Sequence, residues 1–246
     1  PENMPTNTAA NTATAANTDT GIRMQIPMKH AEKVPALSLD YHAHVLPGCD
    51  HGSDGLETSR KQLEMAASAG VKTVCATPHF YPHKDSVDGF LRRRAQAAAL
   101  LSKALPAGAP QIQLGAEVLI CDGMERLEGL SRLCREGTNE LLLEMPFYAW
   151  QDSIWQTLGR LCRRRDIQIV IAHADRYPKE NVERLIRGGV PLQLNAESLT
   201  KPLRRRQYLA WIENGNVKYL GSDIHMLGSG YRDWEKCRRL LERSFE

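Results

Sequence analysis

Six of the chain's eight histidines stand where an apolar run of strand character ends, in the segments LDYHAHVLPGCDHG, CATPHF, VIAHADRY and YLGSDIHM. Three of those segments also carry an acid close by. His42 with His44, and Asp223 with His225, lie two residues apart. Side chains at i and i+2 of a strand point the same way, so each pair has the spacing to chelate one ion. A single histidine of this kind is ordinarily a satisfied, partly buried polar residue. A set of this size is not, because a core gathers so many polar groups only where something binds them. The arrangement reads as a polynuclear metal site.

Such a site needs elements to hold it, and the chain supplies a regular alternation. Strand-like runs fall at 37–45, 71–77, 112–120, 140–145, 167–172, 191–195 and 217–221, seven in all. Helical patterns separate most of them: one after Asp54, where Glu57 suggests a capping box and Gly70 a stop, and others over 86–105, 152–165, 179–187, 202–214 and 231–243. Strand and helix in alternation imply parallel strands joined by crossover helices. Polar groups placed at the C-terminal ends of successive strands favour a closed α/β barrel with its site on that face. Closure would also set the first strand beside the last, merging the two chelates. An open doubly wound sheet is the alternative, but neither GxGxxG nor GxxxxGK[ST] occurs.

At 246 residues and 42% hydrophobic, the chain suits one sizeable catalytic domain, expected over 36–246. Residues 1–35, dominated by Thr, Asn and Ala, cannot bury enough surface to fold alone and are expected to form a flexible tail or docking segment. The charge of +3, from 32 basic and 29 acidic residues, is too balanced to indicate a nucleic-acid partner. Arginine runs at 92–94, 163–165 and 204–206 read as solvated helix faces rather than an anionic docking patch. Six cysteines without CxxC spacing fit a reducing cytoplasm, and no apolar stretch is long enough to span a bilayer. Cys237 and Arg243 match a literal CX5R spacing, but the residues between them include no glycine and read as mid-helix, unlike a phosphate-cradling loop.

Taken in order, Asp40-Tyr-His-Ala-His44, Ala76-Thr-Pro-His79, Gly115-Ala-Glu117, Glu144 after LLL, Ala172-His173-Ala-Asp-Arg176-Tyr and Ser222-Asp-Ile-His225 resemble the PHP (polymerase and histidinol phosphatase) superfamily. The likeness runs from about residue 37 to the C-terminus and is nearest to the bacterial protein-tyrosine phosphatases of capsule and exopolysaccharide operons. It implies a distorted seven-stranded TIM-like barrel, (β/α)7, holding three divalent ions. The matching ligand positions are His42, His44, His51, His79, Glu117, Glu144, His173, Asp223 and His225. His42, His44, Glu117 and Asp223 would hold one ion, Glu117, Glu144 and His173 a second, and His51, His79 and His225 the third. Imidazole with carboxylate suits manganese first, with iron or zinc as alternatives. Such ions bind phosphate oxygens and ionise a water that attacks phosphorus in line, so no protein nucleophile is needed.

Arg176 matches the position that grips substrate phosphate, a task its planar fork suits. The first loop departs from the usual paired acids, with His51 as the aligned ligand and Asp50 as a neighbour that could substitute. After His225 the usual arginine is displaced to Arg232, the second candidate for phosphate contact. Phe80, Tyr81, Phe147, Tyr148 and Trp150 could stack on a phosphotyrosine ring or pack the rim. The resemblance implies a phosphoprotein partner, a bacterial tyrosine autokinase of polysaccharide synthesis. A small-molecule phosphatase of the histidinol phosphate type, or a noncatalytic metal-binding regulator, are the other readings.

Overall fold

Runs such as ELLLE and QIVI lack the polar alternation of a half-exposed strand, which suits strands covered on both faces. The computed structural model describes residues 34–228 and 230–245 and has this character. The expected leader, residues 1–35, lies outside the described residues as far as residue 33. β1 (Leu39–Ala43) leads through α1 (Leu56–Ser68) to β2 (Thr73–Ala76) and the short β3 (His79–Phe80). α2 (Val87–Ser102) follows, then β4 (Gln111–Leu114), β5 (Glu117–Leu119) and β6 (Glu140–Glu144). α3 (Asp152–Cys162), β7 (Gln168–Ile171), α4 (Lys179–Arg187) and β8 (Leu192–Asn195) come next. The described chain closes with α5 (Ala196–Thr200), α6 (Arg205–Glu213), β9 (Val217–Gly221) and α7 (Trp234–Phe245).

Every strand pairing is parallel, which bears out the α/β expectation. The strands form one sheet in the order β1-β2-β4 and another in the order β3-β5-β6-β7-β8-β9. The expected third run is split into β4 and β5, and a short strand, β3, follows the second run, so the described residues hold nine strands where seven runs were expected. Pro78 has no N–H to give a ladder, which separates β2 from β3. Alongside it, Gly115 and Ala116 separate β4 from β5. Backbone bonding nonetheless crosses the gap, from the Gly115 N–H to the Ala76 carbonyl at 2.9 Å and from the Glu117 N–H to the Pro78 carbonyl at 3.1 Å. At the far side, Ala43 bridges Ile224 in parallel, and the Asp223 N–H donates to the His42 carbonyl at 2.7 Å. The first strand therefore does lie beside the segment that carries the second chelate.

Ser86 caps α2 by accepting from the Gly89 N–H at 3.1 Å. The capping box expected at Asp54 is absent, because Gly55 holds the cap position and Asp54 instead accepts from the Thr58 hydroxyl at 2.5 Å. Gly70 does end α1, in the left-handed conformation a helix stop favours. Several arginines of the three runs do more than face solvent. Arg94 donates to the Gly115 carbonyl, and Arg205 to the carbonyls of Leu199 and Thr200. Cys237 lies inside α7 with its thiol buried and pushed up to about 12 by that burial, so the CX5R spacing has no phosphate loop behind it.

The core has two parts. The larger packs the helices against the strands, and a smaller one gathers Tyr41, Cys75, Leu142, Val170 and Ala172 from four strand segments. Beside the smaller cluster, Glu140 accepts from Tyr41, Tyr219, Arg135 and Lys218, and the two tyrosine rings stack with centroids 3.8 Å apart.

Candidate metal centre

The register of β1 against β2 slips between Asp40 and Ala43. An extra residue of this kind re-aims the side chains that follow it. Tyr41 can therefore join the inner cluster while His42, the next residue, turns to Gln193 of β8 and Glu117 of β5. Two glycines make room for the histidines. A Cβ on Gly221 would lie 2.6 Å from His42 Cβ, and one on Gly52 would lie 2.3 Å from His44 Cβ. Asp40 ties the two chelating segments together by accepting from the His42 and Ser222 N–H groups at 3.1 and 2.9 Å and from the Tyr231 hydroxyl at 2.5 Å.

His42, His44, Glu117 and His173 are almost wholly buried, and Glu144, Asp223 and His79 nearly so. Their ligand-type atoms fall into three overlapping groups, His42–His44–Asp223, His44–His79–His225 and His79–Glu117–Glu144, with all such atoms in a group within 4.8 Å of one another. His42 Nε2 sits 3.1 Å from His44 Nε2, 3.2 Å from Glu117 Oε2 and 3.5 Å from Asp223 Oδ1. His173 Nε2 meets Glu117 Oε1 at 2.8 Å and Glu144 Oε1 at 3.6 Å. His225 Nε2 is 3.4 Å from His79 Nε2. His79 thus lies near members of both the second and the third expected sets, and His44 as well as His51 stands beside the His79–His225 pair. His51 is exposed and touches the cluster by ring stacking, 4.5 Å from His79 and 4.9 Å from His225 between centroids.

Proton positions follow from partners that can only accept or only donate. Gln193 Oε1 receives the His173 backbone N–H at 2.6 Å, which fixes the amide's orientation. The same oxygen lies 3.1 Å from His42 Nδ1, so that nitrogen carries the proton. Asp50 Oδ2 does likewise for His44 Nδ1 at 2.7 Å. In the neutral tautomers two Nε2 lone pairs would face each other across 3.1 Å, a repulsion that either a proton on His44 or a shared cation relieves. Burial disfavours the charged His44 ring, but Asp223, Asp50 and Glu117 outweigh it and hold its pKa well above the usual value. His173 is likewise held up at about 9, its burial outweighed by the bonds to Glu117 and Glu144. Burial takes His79 down to about 3 despite Glu117.

His79 Nδ1, Glu117 Oε2, His173 Nδ1 and Asp223 Oδ1 are buried with no hydrogen-bond partner. Leaving such atoms unpaired costs about 1–3 kcal/mol each, so a core holds them together only for a ligand. Their imidazole and carboxylate chemistry fits divalent transition metals. Two of the candidate ligands, His173 at φ 31° and Asp223 at φ 50°, are also the described non-glycine residues with positive φ. Strain of this sort, of order 1–3 kcal/mol, persists at sites where the surroundings hold it.

Asp50, left open beside His51, is occupied in holding other groups. It accepts from the His79 and Gly52 N–H groups besides serving His44, and those bonds keep its carboxyl ionised well below the usual range against the pull of burial. Gln193 and Asn195, which donates to Asp223 Oδ2 at 3.2 Å, escaped the sequence reading. Their i, i+2 spacing at a strand end was the available signal, but amides carry no metal signature. Gln193→Ala is expected to free the His42 ring and lower metal affinity by about 10- to 100-fold, with Gln193→Glu restoring part of it. Metal titration checks this, and an unaltered affinity in Gln193→Ala would remove the amide from the site.

Arg176 ends a one-turn helix after His173 and pairs with Asp223 Oδ2, its side chain 43% exposed at the mouth of the cluster. Arg232 is exposed and donates to the Gly228 carbonyl at 2.7 Å, and among the described residues no bond joins it to the histidines. Of the five aromatic candidates, Phe80 is buried against Phe90 and Trp150 against Trp155 and Tyr177. Tyr81 stacks on His79, and Phe147 and Tyr148 are exposed, the former stacked 5.7 Å from His173.

The family described as capsular polysaccharide synthesis, CpsB/CapC, matches residues 38–246. Tyrosine-protein phosphatase YwqE of Bacillus subtilis (strain 168) is 27% identical over 231 residues, covering 84% of this chain and 85% of that protein. Among solved structures, the fold is similar to that reported for YwqE from Bacillus subtilis and CpsB from Streptococcus pneumoniae, described as unique metal-dependent tyrosine phosphatases. The TM-score is 0.70 at 22% identity, over 84% of this chain and 87% of the other.

Proposed function

The chain belongs to the CpsB/CapC family of capsular polysaccharide synthesis, and from that membership we propose that it is a metal-dependent protein-tyrosine phosphatase. The observation that carries the reading is the buried donor cluster, with two imidazole Nε2 atoms 3.1 Å apart and four buried polar atoms that make no hydrogen bond. The proposed ligands are His42, His44, His79, Glu117, Glu144, His173, Asp223 and His225, with His51 at the rim. Three overlapping donor groups suit three divalent ions, manganese before iron or zinc. When bound, these ions supply Lewis acidity, neutralising phosphate charge and acidifying a water.

The protein's own groups bind and orient. Gln193 and Asp50 set the tautomers of His42 and His44, and Asp40 holds the two chelating segments in register. Arg176, half exposed at the mouth, presents a fork to phosphate oxygens. Phe147, 65% exposed yet stacked near His173, offers a face to an aryl leaving group. Phe147→Ala is expected to raise KM for a phosphotyrosine peptide about 2- to 10-fold while leaving an alkyl phosphate such as histidinol phosphate unaffected. Steady-state kinetics on both substrates decide it, and equal effects would exclude ring recognition.

Residues 36–246 are proposed to form one distorted seven-stranded barrel. The ladder that crosses both strand gaps, the Ala43–Ile224 bridge and the small inner core support this. The substrate is proposed to be the phosphorylated tail of a tyrosine autokinase, met in the cytoplasm. Six free cysteines are consistent with a reducing compartment, and no described helix is long and apolar enough to cross a membrane.

The test strips the protein with chelator and reloads it with manganese, following turnover of a phosphotyrosine peptide and of histidinol phosphate. Chelator-sensitive turnover favouring the peptide, with more than one metal per chain, is expected. Preference for histidinol phosphate would move the protein to the small-molecule phosphatases, and no metal and no turnover after reloading would end the enzyme reading.

A further inference from the structure

Beside the metal centre lies a second cavity of about 460 Å3, formed by the turn after His173, the end of β8, α5 and the start of α6. It shares two residues with the centre. Arg176 and Asn195 line it, and both also bond to Asp223 Oδ2. A substrate whose phosphate reaches Arg176 would therefore have its neighbouring groups at the cavity mouth. Lys201 and Arg204 bring further positive charge. Lys201 is held 2.5 Å from Glu197 Oε1, whereas Arg204, exposed at the start of α6, has no carboxylate partner among the described residues. The arginine run at 204–206, read from sequence as a solvated face, so divides its work: Arg205 pins the end of α5 and Arg204 faces the cavity. Tyr208 supplies a hydroxyl and a ring at the wall.

We propose that this cavity is a specificity subsite that receives an acidic side chain flanking the phosphotyrosine of the substrate peptide, with Arg204 and Lys201 as the residues that recognise it. The proposal rests on the phosphotyrosine phosphatase reading and names a feature of its substrate. Exposed charge pairs are individually modest, so two together are expected to favour an acidic peptide by about tenfold.

The manganese-loaded full chain and its Lys201→Ala/Arg204→Ala variant are compared on three substrates. These are a phosphotyrosine peptide flanked by Glu and Asp, the same peptide with Gln and Asn, and p-nitrophenyl phosphate. The expected result is a kcat/KM about tenfold higher for the acidic peptide, carried by KM, abolished in the double variant and weakened by salt, with p-nitrophenyl phosphate unchanged. A wild type that hydrolyses both peptides equally, or a preference that survives in the double variant, overturns the subsite while leaving the phosphatase reading intact. Equal loss on all three substrates also overturns it, by placing the two residues in folding or in the metal site. A metal-loaded wild type that hydrolyses none of the three overturns both readings.

Discussion

Replacing His42 by alanine is expected to remove metal and turnover together, with kcat/KM lower by about a thousandfold or more. The ring is fully buried, and its Nε2 lies within 3.5 Å of His44 Nε2, Glu117 Oε2 and Asp223 Oδ1 at once. No neighbour can replace a ligand placed at the junction of those groups. Ions that neutralise a phosphate's charge contribute several kcal/mol to its transition state, and each 1.36 kcal/mol lost is about a tenfold loss of rate. Asp223→Ala should behave the same way, since its Oδ1 is buried with no hydrogen-bond partner. Metal analysis and phosphotyrosine turnover are measured on the same folded sample, with circular dichroism as the control. A folded His42→Ala protein that keeps both its metal and its rate would remove the ring from the centre.

Arg176→Ala should separate what His42→Ala loses together. The guanidinium pairs with a candidate ligand but is not one, and nearly half of its side chain faces solvent. Metal content should stay at the wild-type level while kcat/KM falls by about a hundredfold, the loss of one bidentate charge-assisted contact in a partly desolvated site. The same variant removes a cation beside Asp223, whose carboxyl is held well below its usual range by His42, His44 and, more weakly, Arg176, against burial. Arg176→Lys should recover only part of the rate, because an ammonium keeps the charge and loses the fork. Normal kinetics in Arg176→Ala would take the residue out of phosphate binding.

The amino-acid sequence by itself determined the α/β alternation, the positions of most helices and the set of imidazole and carboxylate residues placed at strand ends. These are local properties: apolar periodicity, the i, i+2 spacing of His42 with His44 and Asp223 with His225, and Gly70 as a helix stop. Tertiary structure alone decided how the ligand atoms group. His79 comes near Glu117 and Glu144 as well as His225, and His44 comes beside His225, because the slip in β1 and the close approach at Gly52 and Gly221 set side-chain direction through contacts distant in sequence. It also brought Asp50 onto the His44 ring, placed Phe80 and Trp150 in the core, and left Arg232 on the surface. Gln193 and Asn195 show the physical reason most plainly. An amide has no signature of its own, and what it does depends on which donor or acceptor the fold brings within 3.2 Å of it.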